Sequence, residues 1–274
     1  MPILPNYSKS GPEAAKEDNR SRLKAFFDIY TTKFTKLVLL NLMNIIFNLP
    51  AIFIAFLLIN YFLSSDKMSG GLNLFIAYTV TSLLVCIPLI TVGPFQAGFT
   101  YVLRNFAREE NTFIFDDFKE HSKRNWKQGL AVSLIDMAVT AVLIMEINYF
   151  YNQTSLLGNI TFWLIIISFF VFSMMHMYIY QMMVTIELTV FQIYKNAFLL
   201  TLINFLKNTL VYLLCLAVII ILSIFMPIGI LGFIFISTST IGFIINYHAH
   251  ASIKKYLIDP VQAKENKEEN LDKE

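Results

Sequence analysis

Residues 197–249 read AFLLTLINFLKNTLVYLLCLAVIIILSIFMPIGILGFIFISTSTIGFIINYHA. Lys207 is the only lysine, arginine or carboxylate in this stretch. A helix needs about 20 apolar residues to cross the hydrocarbon core of a bilayer, so there is room here for two crossings. The dividing point is Met226-Pro227-Ile228-Gly229, where proline and glycine interrupt a helix. The reading is therefore two spans, about Ala197 to Phe225 and about Ile228 to Ala249. Without that turn the count of spans would be odd, and the two ends of the chain would lie on opposite sides.

Four more apolar runs lie upstream: about Leu37 to Leu63, Leu72 to Val92, Leu130 to Phe150 and Ile160 to Ile186. The expected fold class is thus all-α, a membrane protein of six transmembrane helices with amphipathic cytoplasmic helices between them. Composition agrees, with 56% hydrophobic and only 15% charged residues, where a soluble domain carries about a quarter charged. The net charge of +2 points to no nucleic-acid partner. Of the 21 lysines and arginines, all but Lys67 fall in segments on one side of these spans. The positive-inside rule then places both termini in the cytoplasm of a bacterial cell membrane. The polar residues before the first span are too many for the n-region of a signal peptide. Residues 1–25 and 259–274 are expected to be disordered, flanking a membrane domain at 26–258.

Two cytoplasmic pieces carry a pattern. After Gly93-Pro94, the residues Phe95, Phe99, Val102 and Phe106 recur at helical spacing. They predict a helix with one apolar face in or re-entering the inner interface, with Arg104 and Arg108 as lipid anchors. Asp116 and Asp117 predict the start of a second helix reaching Lys127. Pro94, Arg104, Arg108, Asp116 and Asp117 together form the expected cytoplasmic contact surface.

Three helix starts resemble one another: KLVLLNLMN at 36–44, QGLAVSLID at 128–136 and NAFLLTLIN at 196–204. Each follows an aromatic residue, Phe34, Trp126 or Tyr194, by two places. They suggest three repeats of a helical hairpin. In that register Asn44, Asp136 and Asn204 are equivalent and would converge at one depth. Side chains of this kind are costly in hydrocarbon and face other helices or a cavity. Asn41, Asn44 and Asn48 share one face of the first span, and Asn208 follows Asn204 by one turn. These six residues form the expected intramembrane polar cluster, read either as packing hydrogen bonds or as a pathway. Asp136 must be paired, protonated or wet. His176 reads as a satisfied interhelical histidine. His248 and His250 point apart on a helix and make a poor metal pair. Cys86 and Cys215 read as small buried hydrophobes.

No Walker A, HExxH or GxSxG sequence and no metal-spaced cysteine cluster occurs. No catalytic residue, metal or cofactor is therefore expected, and an enzyme is not. The stretch Pro88 to Phe118, PLITVGPFQAGFTYVLRNFAREENTFIFDDF, resembles the YesL-like family of bacterial integral membrane proteins, a domain of unknown function. The shared features are Thr91, Gly93 and Pro94, the helix ending in Arg104 and Arg108, and the aromatic run Phe113 to Phe118. A weaker likeness runs from Phe26 to Pro260. The resemblance implies association with carbohydrate uptake in Gram-positive bacteria. The expected function is an accessory of a carbohydrate ABC importer, with the importer's permease subunits and the lipid bilayer as partners. A small stand-alone transporter, or a scaffold or sensor, is the alternative.

Overall fold

The computed structural model describes residues 20–63, 93–151, 153–225 and 228–263. Among these residues the structure is helical and contains no strand. The helices are α1 (Arg22–Thr32), α2 (Phe34–Leu63), α3 (Pro94–Ala107), α4 (Ile114–Arg124), α5 (Trp126–Tyr151), α6 (Leu156–Thr185), α7 (Val190–Ile203) and α8 (Phe205–Ile224). The last, α9 (Ile228–Ala263), is interrupted by wide π-helical turns at Phe233–Ser237 and Lys254–Ile258.

Four of these helices, α5, α6, α8 and α9, are long and apolar enough to cross a membrane. They correspond to the third to sixth expected runs, and α2 covers the first. The second, Leu72 to Val92, lies outside the described residues. The fifth run needs correction: it does not begin at Ala197. A break at Asn204 separates α7 from the long helix α8. The same device occurs twice more. Single residues, Lys33 and Asn125, separate α1 from α2 and α4 from α5. Each long helix then opens on an aromatic residue: Phe34, Trp126 or Phe205. By these breaks, Phe205 rather than Tyr194 matches Trp126. The block 196–204 lies in the short helix α7, and Asn204 is not the positional counterpart of Asn44 and Asp136. The helix from Asp116 likewise stops at Arg124, short of Lys127.

The helix starts are legible in local chemistry. Ser21 and Ser155 accept hydrogen bonds from Lys24 N and Gly158 N at 3.3 and 3.1 Å, capping α1 and α6. Thr189 and Gln192 form a reciprocal capping box at α7. Gly93 has φ +55°, a conformation that favours glycine, and it turns the chain into Pro94, the first residue of α3. Helical order also extends past the expected ends. α1 begins at Arg22, and α9 runs through Asp259-Pro260 to Ala263. Pro260 cannot donate to the helix ladder, and the wide turn Lys254–Ile258 lies directly before it.

The helix α3 does not present one apolar face to an interface. It packs against α2, α4, α5, α6 and α9. Ala97, Phe99, Val102, Leu103 and Phe106 are all buried. A Cβ on Gly98 would fall 2.2 Å from the Phe118 carbonyl oxygen, so glycine is what lets α3 and α4 meet.

The outside of the bundle is apolar. Leu206, Leu210, Leu213, Ile220 and Ile221 of α8 are exposed, as are Leu164 and Ile167 of α6. Polar side chains such as Asn41, Asp136, Gln181 and Asn208 are buried instead. That arrangement suits lipid and marks a membrane protein.

Candidate functional site: a buried carboxylate beside a cavity

Asp136 points inward from α5 with none of its surface exposed. The antiparallel helix α6 brings His176 to the same depth, and α7 brings Tyr194. The Tyr194 hydroxyl donates to Asp136 Oδ1 at 2.5 Å. His176 Nε2 lies 3.1 Å from Asp136 Oδ2, and the two side chains are 4% and 0% exposed. The contact is at ion-pair distance without hydrogen-bond alignment. His176 Nδ1 lies 2.9 Å from the Phe172 carbonyl oxygen. A carbonyl can only accept, so Nδ1 carries hydrogen. Two lone pairs would repel across the Nε2–Oδ2 contact, so one proton belongs to that pair. The pair is then net neutral in either form: imidazolium with carboxylate, or imidazole with carboxylic acid.

In front of His176 lies a cavity of about 280 Å³ between α3, α6, α8 and α9. His176 and Tyr180 stand in its wall, whereas Asp136 stands behind His176 and does not line it. Two hydrogen-bonded pairs join opposing helices there. Ser173 Oγ meets the Tyr212 hydroxyl at 3.0 Å, and Gln181 Nε2 donates to Asn246 Oδ1. Gln96 Oε1 is buried without a hydrogen-bond partner among the described residues.

The expected polar cluster is buried in all six members. It does not converge on one point. Asn41 binds the wide turn of α9: its Nδ2 donates to the Ile234 carbonyl at 2.6 Å, and its Oδ1 accepts from Ser239 N at 2.8 Å. Asn48 donates back to the Asn44 carbonyl at 2.7 Å. Asn204 Nδ2 donates to the Leu200 carbonyl at the α7–α8 break. Asn208 Oδ1 accepts from Tyr178 at 2.6 Å and lies 2.7 Å from His248 Nε2. Asp136 therefore meets His176 and Tyr194, not Asn44 or Asn204. The repeat alignment hid both partners. Counting inward from the helix ends finds one of them, because Asp136 is 10 residues from Trp126 and His176 is 9 residues from Thr185 (136 − 126 and 185 − 176).

The segment that carries α2, α3, α4 and most of α5 also carries a family signature. Residues 37–147 match the family described as "Protein of unknown function, DUF624". The family likeness expected from the sequence holds over that stretch. The match includes Asp136 and ends before His176 and Tyr194. No curated protein and no solved structure matches the chain.

Within the DUF624 stretch, the expected contact surface divides into inner and outer residues. Arg104 is not a lipid anchor, because only 9% of it is exposed. Its Nη1 donates to the Val184 carbonyl at 2.8 Å, next to the end of α6, and its Nε donates to Asn105 Oδ1 at 3.2 Å. Burial and the neighbouring Arg108 push its pKa down to about 10, which leaves it positive. Arg108 lies 3.4 Å from His250 Nδ1 and 3.6 Å from Glu110. The Tyr101 ring meets both the Arg104 guanidinium, 4.4 Å from its centroid, and the His121 ring, stacked at 3.3 Å. Burial, then Arg104 and Arg124, push His121 down to about 4. Asp117 accepts from Phe113 N at 2.9 Å at the start of α4, and Asp116 is exposed. Pro94 opens α3. No cluster of three or more metal-ligating side chains occurs among the described residues.

Proposed function

We propose that this protein is a non-enzymatic, six-span bacterial membrane protein with both ends in the cytoplasm, and that it serves carbohydrate uptake by binding a solute inside its own bundle. The observation that carries this reading is the cavity between α3, α6, α8 and α9, with His176 in its wall and Asp136 behind it. Concave sites between helices, mostly apolar with a few convergent polar groups, are where membrane and soluble bundles alike hold small ligands. Three long helices, α2, α5 and α8, are each entered through a short helix and a one-residue break, and the six-span count extends the two described hairpins, α5–α6 and α8–α9, to a third that would pair α2 with the apolar run Leu72 to Val92. The carbohydrate class comes from the family resemblance.

Solute uptake by purified protein in liposomes tests the reading. Sugar exchange without any partner is the expected result. No exchange with any sugar, from protein shown to be folded, would sink it.

The accessory role beside an ABC importer is the second reading. It is favoured by the exposed Phe113, Phe115 and Asp116 at the start of α4. The two exposed rings fit a permease subunit better than open water. It predicts that permease subunits co-purify from native membranes and are lost when Phe113 and Phe115 become serine.

A further inference from the structure

The cavity also limits the kind of solute, and this inference rests on the solute-binding reading above. We propose that its ligand is a small neutral molecule with several hydroxyl or amide groups around an apolar face, and not an ion.

Charge is the first argument. No lysine, arginine, aspartate or glutamate lines the cavity among the described residues. An ion taken out of water needs a paired charge. The nearest carboxylate, Asp136, is behind the wall and already balanced by His176. A cation would have to displace the proton that those two share. An anion would meet only His176, and any positive charge there is already balanced by Asp136.

The polar lining is the second argument. Gln96 lines the cavity, and its Oε1 is a buried acceptor with no donor among the described residues. The Ser173–Tyr212 and Gln181–Asn246 pairs sit on opposing helices and can open around a guest. A hydroxyl suits them because it both donates and accepts. The rings of Phe99 and Phe169 supply flat apolar wall for the other face of the ligand. A lipid tail would use none of the polar groups.

One sugar ring in three charge states tests this directly. The full chain in nanodiscs of one defined lipid would be heated with glucose, glucosamine or glucuronate, at a mildly acidic pH where the amine is a cation. Glucose should raise the unfolding temperature in a saturable way, and both charged sugars should need at least about tenfold more for the same shift. Gln96→Leu should weaken glucose about tenfold by removing the acceptor. Gln96→Glu should reverse the order in favour of glucosamine. Equal or tighter response to a charged sugar in the native protein overturns the inference, as does no response to any of the three. Glucose binding unchanged in both Gln96 variants also overturns it. Glucose binding without liposome exchange removes the transport reading alone. Exchange of a charged solute without glucose binding removes this inference alone.

Discussion

Asp136 has two partners of opposite kind. Tyr194 can only give it a hydrogen, whereas His176 can give or take one. The carboxylate is thereby held in place while its proton stays exchangeable with the imidazole. Replacing Asp136 by asparagine keeps the shape and an acceptor for Tyr194 but ends the sharing with His176. A double-mutant cycle with Asp136→Asn and His176→Gln should show a coupling of about 0.6–1.7 kcal/mol, the range of membrane interhelical hydrogen bonds. Reversible unfolding in mixed micelles measures it, and additive effects would mean that the two side chains share nothing. The sequence marks Asp136 plainly, because a carboxylate in the middle of an apolar run has no cheap alternative. Its partners are harder to see. Asparagine repeats suggest Asn44 and Asn204, but amide nitrogens can donate to nearby carbonyls of their own helix, as those of Asn48 and Asn204 do here. A histidine keeps a second ring nitrogen after one local bond, as His176 does after bonding the Phe172 carbonyl, and a tyrosine hydroxyl stands far from its own backbone, which makes both the better candidates for a long-range partner.

At the scale of elements, the first, third and fourth apolar runs match α2, α5 and α6 to within a few residues because hydrocarbon thickness sets their length, whereas the fifth begins too early and the sixth ends too soon. The breaks at Lys33, Asn125 and Asn204 have no such signal, since none contains proline or glycine. They follow from tertiary packing, in which each short helix must turn against its neighbours before the long one begins. The burial of α3 is likewise hidden, because its apolar spacing fits a lipid interface as well as a protein core. The α3–α4 contact has a consequence in acid. Folded His121 is held neutral, with its pKa near 4, against 6.5 in the unfolded chain. The unfolded chain therefore takes up a proton first as pH falls. Stability from this site is complete above about pH 6.5 and is lost progressively toward pH 4. His121→Gln should flatten that part of the stability curve. Unfolding midpoints at several pH values in this window, native against variant, would show it, and parallel curves would refute it.

On the scale of the whole molecule, the protein is built with its polar side chains inward and its leucines outward, and the basic residues then set which way it faces. Cysteines introduced singly at Gln153 and Lys119 report on that. An impermeant thiol reagent added outside cells should label position 153 and spare position 119, as the positive-inside rule requires. Strong labelling at 119 would invert the topology. The wide turn Phe233–Ser237, pinned by Asn41, bears on this same architecture. A π-helical turn takes in one residue more than an α-turn, and each residue of an α-helix advances the chain by about 100°. The two halves of α9 are therefore counted in different helical phases. A chain one residue shorter here would still be apolar, still span and still pass any test of hydropathy. Its lower half would be rotated by about 100°, and Gly242 and Asn246 would face away from the cavity that they now line.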